Sequence, residues 1–150
     1  MLSPGAPLPL DGVTILAVEQ YGAGPFGSML LGDLGAEVIK IENPRDGGDI
    51  SRSVGPHFHG PGDSHFFQAL NRNKRSVALD LKDPEGQEVF RSLVRGADAV
   101  YDNLRGDIPA KLGLTYDALA NVNPAVVCAH LSASGGEGPR AAWPGYHFLM

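Results

Sequence analysis

Continuous apolar runs alternate with helix-period segments along this chain, in an order that repeats. Val13-Thr14-Ile15-Leu16-Ala17-Val18 is apolar apart from Thr14, as suits a strand covered on both faces of a parallel sheet. The glycine-rich run Gly22-Ala23-Gly24-Pro25-Phe26-Gly27 follows. Pro25 suits the first turn of a helix, where a missing N–H costs nothing. Met29, Leu30, Leu31 and Leu34 supply that helix with an apolar face, and Gly35 can close it. Residues 37–42 return as a second strand. The pattern predicts a βαβ unit whose helix N-terminus faces a crevice at the strand ends.

Residues 43–63 are rich in Gly, Pro, Asp and His, show no usable period and read as a long surface loop. A short helix over residues 64–71 and a strand over 75–80 follow. Asp83-Pro84-Glu85 then opens a helix with a capping aspartate, a first-turn proline and a first-turn acid. It should run to about residue 95, turning Val89, Phe90, Leu93 and Val94 to the core. Residues 97–101 and 126–131 read as strands, with short helices over 108–112 and 116–121 between them. Ser134, Gly135, Gly136 and Gly138 belong to a flexible loop, and residues 146–150 start another helix. The alternation predicts an α/β fold, a Rossmann-like parallel sheet with flanking helices. It occupies residues 10–150 behind a loose tail, residues 1–9.

The chain has 150 residues, 43% of them hydrophobic and 19% charged, with a net charge of −5. That balance suits one ordinary domain and argues against a nucleic-acid partner, since no basic excess neutralises phosphates. Positive charge is uneven, however: Arg72, Lys74, Arg75 and Lys82 lie close together, enough for one small anionic ligand. Cys128 is the only cysteine, so no internal disulfide or cysteine metal cage forms, and its apolar surroundings place it in the core. The first residues lack a basic-then-apolar leader, and no apolar run reaches membrane-spanning length. A cytoplasmic setting without a membrane partner is expected. His57 and His59 have metal-ligand spacing, with His65 nearby, but no cysteine or well-spaced acid completes a set. No metal is expected.

Gly22, Gly24 and Gly27 satisfy G-x-G-x-x-G, and Glu42 stands at a strand end downstream, where a dinucleotide domain places an acid on a ribose hydroxyl. Glu19-Gln20-Tyr21 intervene between strand and first glycine, and Pro25 removes a donor from the turn. A dinucleotide-binding Rossmann module therefore stays open on these residues.

Several separated motifs occur in order: Leu10-Asp11-Gly12-Val13, Ala23-Gly24-Pro25, the run from Leu31-Gly32-Asp33 to Val38-Ile39-Lys40-Ile41-Glu42, and Gly48-Asp49. Asn71-Arg72-Asn73-Lys74-Arg75-Ser76, Leu79-Asp80-Leu81-Lys82, Ala97-Asp98, Asn103, Leu112-Gly113-Leu114, Asn123-Pro124, Gly138-Pro139 and Pro144-Gly145-Tyr146 follow. In this the chain resembles the N-terminal part of the family III CoA-transferases, a group that includes the formyl-CoA and carnitine-CoA transferases and the related α-methylacyl-CoA racemases. The resemblance implies that coenzyme A lies along the strand ends. Tyr21, Gly22 and Ala23 would approach its thioester end. Leu79, Asp80, Leu81 and Lys82 would contact the nucleotide. Asn103, Leu104 and Arg105 would line the site, with Lys111 as a further basic residue. Asn43 stands where some members place an arginine against adenine, and Arg45 could substitute.

The resemblance also implies the reaction: CoA moves between an acyl-CoA and a carboxylic acid through an aspartate nucleophile. That aspartate would fall after Met150, so activity of these residues alone is not expected. His147 is the one local candidate for chemistry. An α-methylacyl-CoA racemase-like fragment is the alternative within the group; Tyr146-His147 stands where that branch carries a His-Asp pair. The resemblance further implies a homodimer, interlocked at full length.

Overall fold

The computed structural model describes residues 7–145. Its elements are β1 (Thr14–Val18), α1 (Ala23–Asp33), β2 (Glu37–Glu42), β3 (Phe58–Gly60), β4 (Asp63–Ser64), α2 (His65–Leu70), β5 (Lys74–Ala78), α3 (Pro84–Val94), β6 (Ala99–Asp102), α4 (Ile108–Lys111), α5 (Tyr116–Leu119) and β7 (Val127–His130). Five strands form one sheet in the order β5-β2-β1-β6-β7, with every neighbouring pair parallel. From β1 the chain moves outward through β2 to β5, crosses back, and fills the other side with β6 and β7. The order thus reverses beside β1, where parallel sheets of this kind open a crevice.

Alternate residues of β1 divide the core. Leu16 and Val18 point to one face, where Phe90 and Val94 of α3 join Val100, Leu114 and Leu119. Ile15 and Ala17 point to the other, against Ala36, Val38 and Leu31 of α1. β1 is therefore covered on both faces, which explains the apolar run from Ile15 to Val18. The Asp83 carboxylate accepts a 2.9 Å hydrogen bond from the Glu85 amide and starts α3 as the sequence predicts.

Three expectations need correction. Residues 43–63 are more ordered than a loop: Pro44–Asp46 and Ile50–Ser53 form 3-10 turns, capped by Asn43 and Asp49, and β3 pairs antiparallel with β4. Their short lengths leave no period to detect. Val89 does not face the core; at 46% exposure it lies on the solvent side of α3, as Leu30 does on α1. Cys128 is only half-buried, because β7 is an edge strand. The Leu8 amide donates to the Asp11 carboxylate and Leu10 donates to the Leu34 carbonyl.

Phe90 has no exposed surface and sits at the centre of the larger core cluster. Phe90→Ala should therefore cost about 3–5 kcal/mol in urea unfolding. Val89→Ala, one residue away, should change stability by no more than about 0.5 kcal/mol. Equal losses would place the core on the wrong face of α3.

Candidate functional site

A cleft of about 170 Å³ opens at the carboxyl ends of β1, β2 and β5. Val18, Ile41, Leu79, Leu81, Leu104 and Leu112 give it apolar walls, and Lys82 is its only lining cation. Five acidic side chains also line it: Glu19, Glu42, Asp46, Asp49 and Asp80. Four of these are neutralised by the fold itself. Glu42 accepts from Arg52 Nε at 2.8 Å and Nη2 at 2.7 Å, from the Asp49 amide and from Ser76 Oγ. Asp49 pairs with Lys40 at 2.8 Å, and Glu19 pairs with Lys74 at 2.8 Å. Asp80 pairs with Arg45, which also approaches Asp83. Lys82 has no ion pair among the described residues, so it is the cation left for a ligand.

This accounting removes a role suggested by the glycine pattern. Glu42 is buried, and both its oxygens are engaged within the protein. Burial opposes its ionisation, but Arg52, Ser76 and the Asp49 amide outweigh that and hold its carboxyl down to about 2. It is not placed to accept from a ribose. Three of the four residues of the basic cluster are likewise spent. Arg72 binds Asp33, Arg75 binds Glu37, and Lys74 is buried against Glu19 and the Pro25 carbonyl.

Of the residues singled out from sequence, Asn43, Leu79, Asp80, Leu81, Lys82 and Leu104 all line the cleft. Arg45 spans its mouth, from the turn after β2 to Asp80 and Asp83. Tyr21, Gly22 and Ala23 lead into α1 and do not line it. Arg105 and Lys111 both bind Asp107, at 2.6 Å each, and hold its carboxyl at about 2. The Asn103 side chain does not line the cleft and is engaged with the backbone of Gln20. Its Oδ1 accepts from the Gln20 amide and its Nδ2 donates to the Gln20 carbonyl, both at 2.9 Å. A methyl group at Gly24 would meet Asn103 Cγ at 2.5 Å, so glycine is required there. His147 and Tyr146 lie outside the described residues. His59 and His65 stack at 4.2 Å between ring centres, and no cluster of metal-ligating side chains forms among the described residues.

Two groups escaped sequence reasoning. One is the buried set Glu19, Lys40, Asp49 and Lys74. Its signal was available: a lysine in the middle of the apolar strand Val38-Ile39-Lys40-Ile41 can only be buried with a partner. The other is Asp102, fully buried at the end of β6, with His130 Nδ1 on its carboxylate. These two residues meet only through the β6–β7 register, which sequence spacing does not reveal.

Sheet order, reversed connection and strand-end cleft define a Rossmann-like α/β domain. The sequence profile of CoA-transferase family III matches residues 10–150, and the chain belongs to that family. It is 40% identical to the succinate–glutarate CoA-transferase of Agrobacterium fabrum, over 98% of this chain and 38% of that protein. It is 40% identical to the acetyl-CoA:oxalate CoA-transferase of Acetobacter aceti, over 95% of this chain and 36% of that protein. A CAIB/BAIF family protein from Brucella suis superposes with a TM-score of 0.86 at 37% identity, over 96% of this chain and 38% of that one. The chain thus spans little more than a third of the length of these relatives.

Glu42 makes folding pH-dependent with a definite sign. Its native pKa of about 2 lies below the ordinary 4.5, so its stabilisation is complete above about pH 4.5 and fades as pH falls toward 2. The whole effect is worth about 3 kcal/mol. Glu42→Gln should therefore be clearly less stable than the parent at pH 7. The gap should narrow by about 1 kcal/mol at pH 3.5 in urea unfolding. A gap independent of pH would mean that the Glu42 charge does not stabilise the fold.

Proposed function

We propose that these residues form the CoA-binding part of an enzyme that moves CoA between an acyl-CoA and a carboxylic acid. The observation that carries this is the cleft's composition. Apolar walls from Ile41, Leu79, Leu81 and Leu104 suit a purine and a pantetheine arm, and Lys82 stands beside them without an ion pair. An unpaired ammonium at the edge of an apolar slot suits a ligand that is apolar along its length and anionic at one end. Arg45 adds a second cation at the mouth, able to exchange Asp80 and Asp83 for phosphate oxygens. Asn43 would border the base, with Tyr21, Gly22 and Ala23 facing the thioester end. Arg105 and Lys111 act through Asp107 as a fixed basic rim.

The covalent step is assigned to no described residue. The relatives named above act on succinate, glutarate and oxalate. A dicarboxylic acid is accordingly the acceptor class we propose for the whole enzyme. Phe26, Val127 and Trp143 are large apolar residues more than half exposed. They support assembly as a homodimer, in which such surface is covered. We place the enzyme in the cytoplasm, consistent with a lone, half-buried cysteine. No helix among the described residues is long and apolar enough to cross a membrane.

Calorimetric titration tests the reading. CoA should bind and NADH should not. Lys82→Ala should weaken CoA about ten-fold, the loss of one charged hydrogen bond, and leave pantetheine binding unchanged. NADH binding in place of CoA would restore the dinucleotide reading and sink this one.

A further inference from the structure

The turn between β1 and α1 is held by side chains from three separate segments. Lys40 Nζ, from β2, donates to the Glu19 carbonyl at 3.2 Å. Asn103, after β6, takes both the amide and the carbonyl of Gln20. Asp49, at the start of a 3-10 turn, accepts from the Tyr21 amide at 2.9 Å through Oδ1. Tyr21 has a φ of 69°, a conformation that residues other than glycine avoid. Such a conformation is strained, and a surrounding structure must enforce it. Asp49 is one group placed to do so. Its other oxygen meets Lys40 Nζ at 2.8 Å, and its own amide is fixed by Glu42 Oε2 at 2.8 Å.

Neither member of the Lys40–Asp49 pair reaches solvent: their side chains are 1% and 0% exposed. Desolvating two such charges consumes most of the attraction between them, so a buried pair is poorly explained as a source of stability. The Tyr21 hydrogen bond gives it a purpose. We propose that Asp49, charged and locked by Lys40, is a positioning residue that holds the Tyr21 turn in the shape a CoA thioester would meet. This rests on the CoA reading for the identity of the ligand, but not for the clamp.

The experiment must separate the hydrogen bond from the charge, because Asp49→Ala alone strands a buried lysine and could unfold the chain. Two double variants avoid this. Lys40→Met with Asp49→Asn removes both charges and keeps an acceptor for Tyr21; Lys40→Met with Asp49→Ala removes the acceptor too. Amide hydrogen exchange by NMR, without ligand, should show Tyr21 protected in the parent and the Asn variant. In the Ala variant Tyr21 should exchange at least ten-fold faster, while Val18 in β1 stays protected in all three. CoA affinity should then be at least ten-fold weaker in the Ala variant than in the Asn variant. Equal Tyr21 exchange in the two variants would overturn the clamp. Lost protection with equal CoA affinity would overturn its role toward the ligand. If the parent itself binds no CoA, the CoA reading fails, and the exchange result still decides the clamp.

Discussion

A lysine sealed inside a parallel sheet must find carboxylates within its own reach, and much of this end of the molecule is arranged around that requirement. Lys40 lies between apolar neighbours in β2 with 1% of its surface exposed. Its partners come from two places: Asp49 from the segment after β2, and Glu19 from the end of β1. Glu19 then also receives Lys74 from β5 and Ser28 from α1. Two ammonium groups and two carboxylates thus tie β1, β2, β5 and α1 together at their ligand-facing end. Such a network is costly to dismantle singly, since removing one member leaves another buried without a partner. The turn from Glu19 to Tyr21 is bonded directly to this network through the Glu19 carbonyl and the Tyr21 amide.

The consequence for the cleft is electrostatic. A site lined by five carboxylates would ordinarily repel a polyanion. Here four of them are matched internally by Lys40, Lys74, Arg52 and Arg45, and Lys82 is left over. The net charge of −5 therefore says nothing about this surface. What counts is which charges are already answered within the fold. The same logic disqualifies the apparent basic patch at Arg72, Lys74 and Arg75, whose charges all face acids on α1, β1 or β2.

How much was legible beforehand follows from range. The strands, α1 and α3 were readable because burial on both faces of the sheet, proline positions and the Asp83 cap are local properties. The cleft residues Leu79, Leu81 and Lys82 were reached through the family resemblance instead; the expected strand ran to residue 80, whereas β5 ends at Ala78 and leaves all three just beyond its carboxyl end. The 3-10 turns and the small hairpin within residues 43–63 were not readable, since each is too short to impose a period. Pairings were the least legible. Arg72 meets Asp33, Arg52 meets Glu42 and His130 meets Asp102 only after strands align or helices dock. A charge's availability is a tertiary fact, even when its position is a local one.

The glycine fingerprint shows why that distinction matters for function. Gly22, Gly24 and Gly27 have the spacing of a dinucleotide loop, and Glu42 has the separation expected of its ribose acid. The structure gives both features other causes. Gly24 lies against Asn103, which clamps Gln20, and Gly27 lies against the Tyr101 hydroxyl, so packing alone demands small residues there. Glu42 has its acceptors filled by Arg52, Ser76 and the Asp49 amide. For a ribose to bind there, Arg52 would have to leave a bidentate, half-buried pair, at a cost exceeding the hydrogen bond regained. The motif survives as spacing while its chemistry is already committed to holding the fold together. What such a cleft leaves uncommitted is its apolar walls and one cation, Lys82.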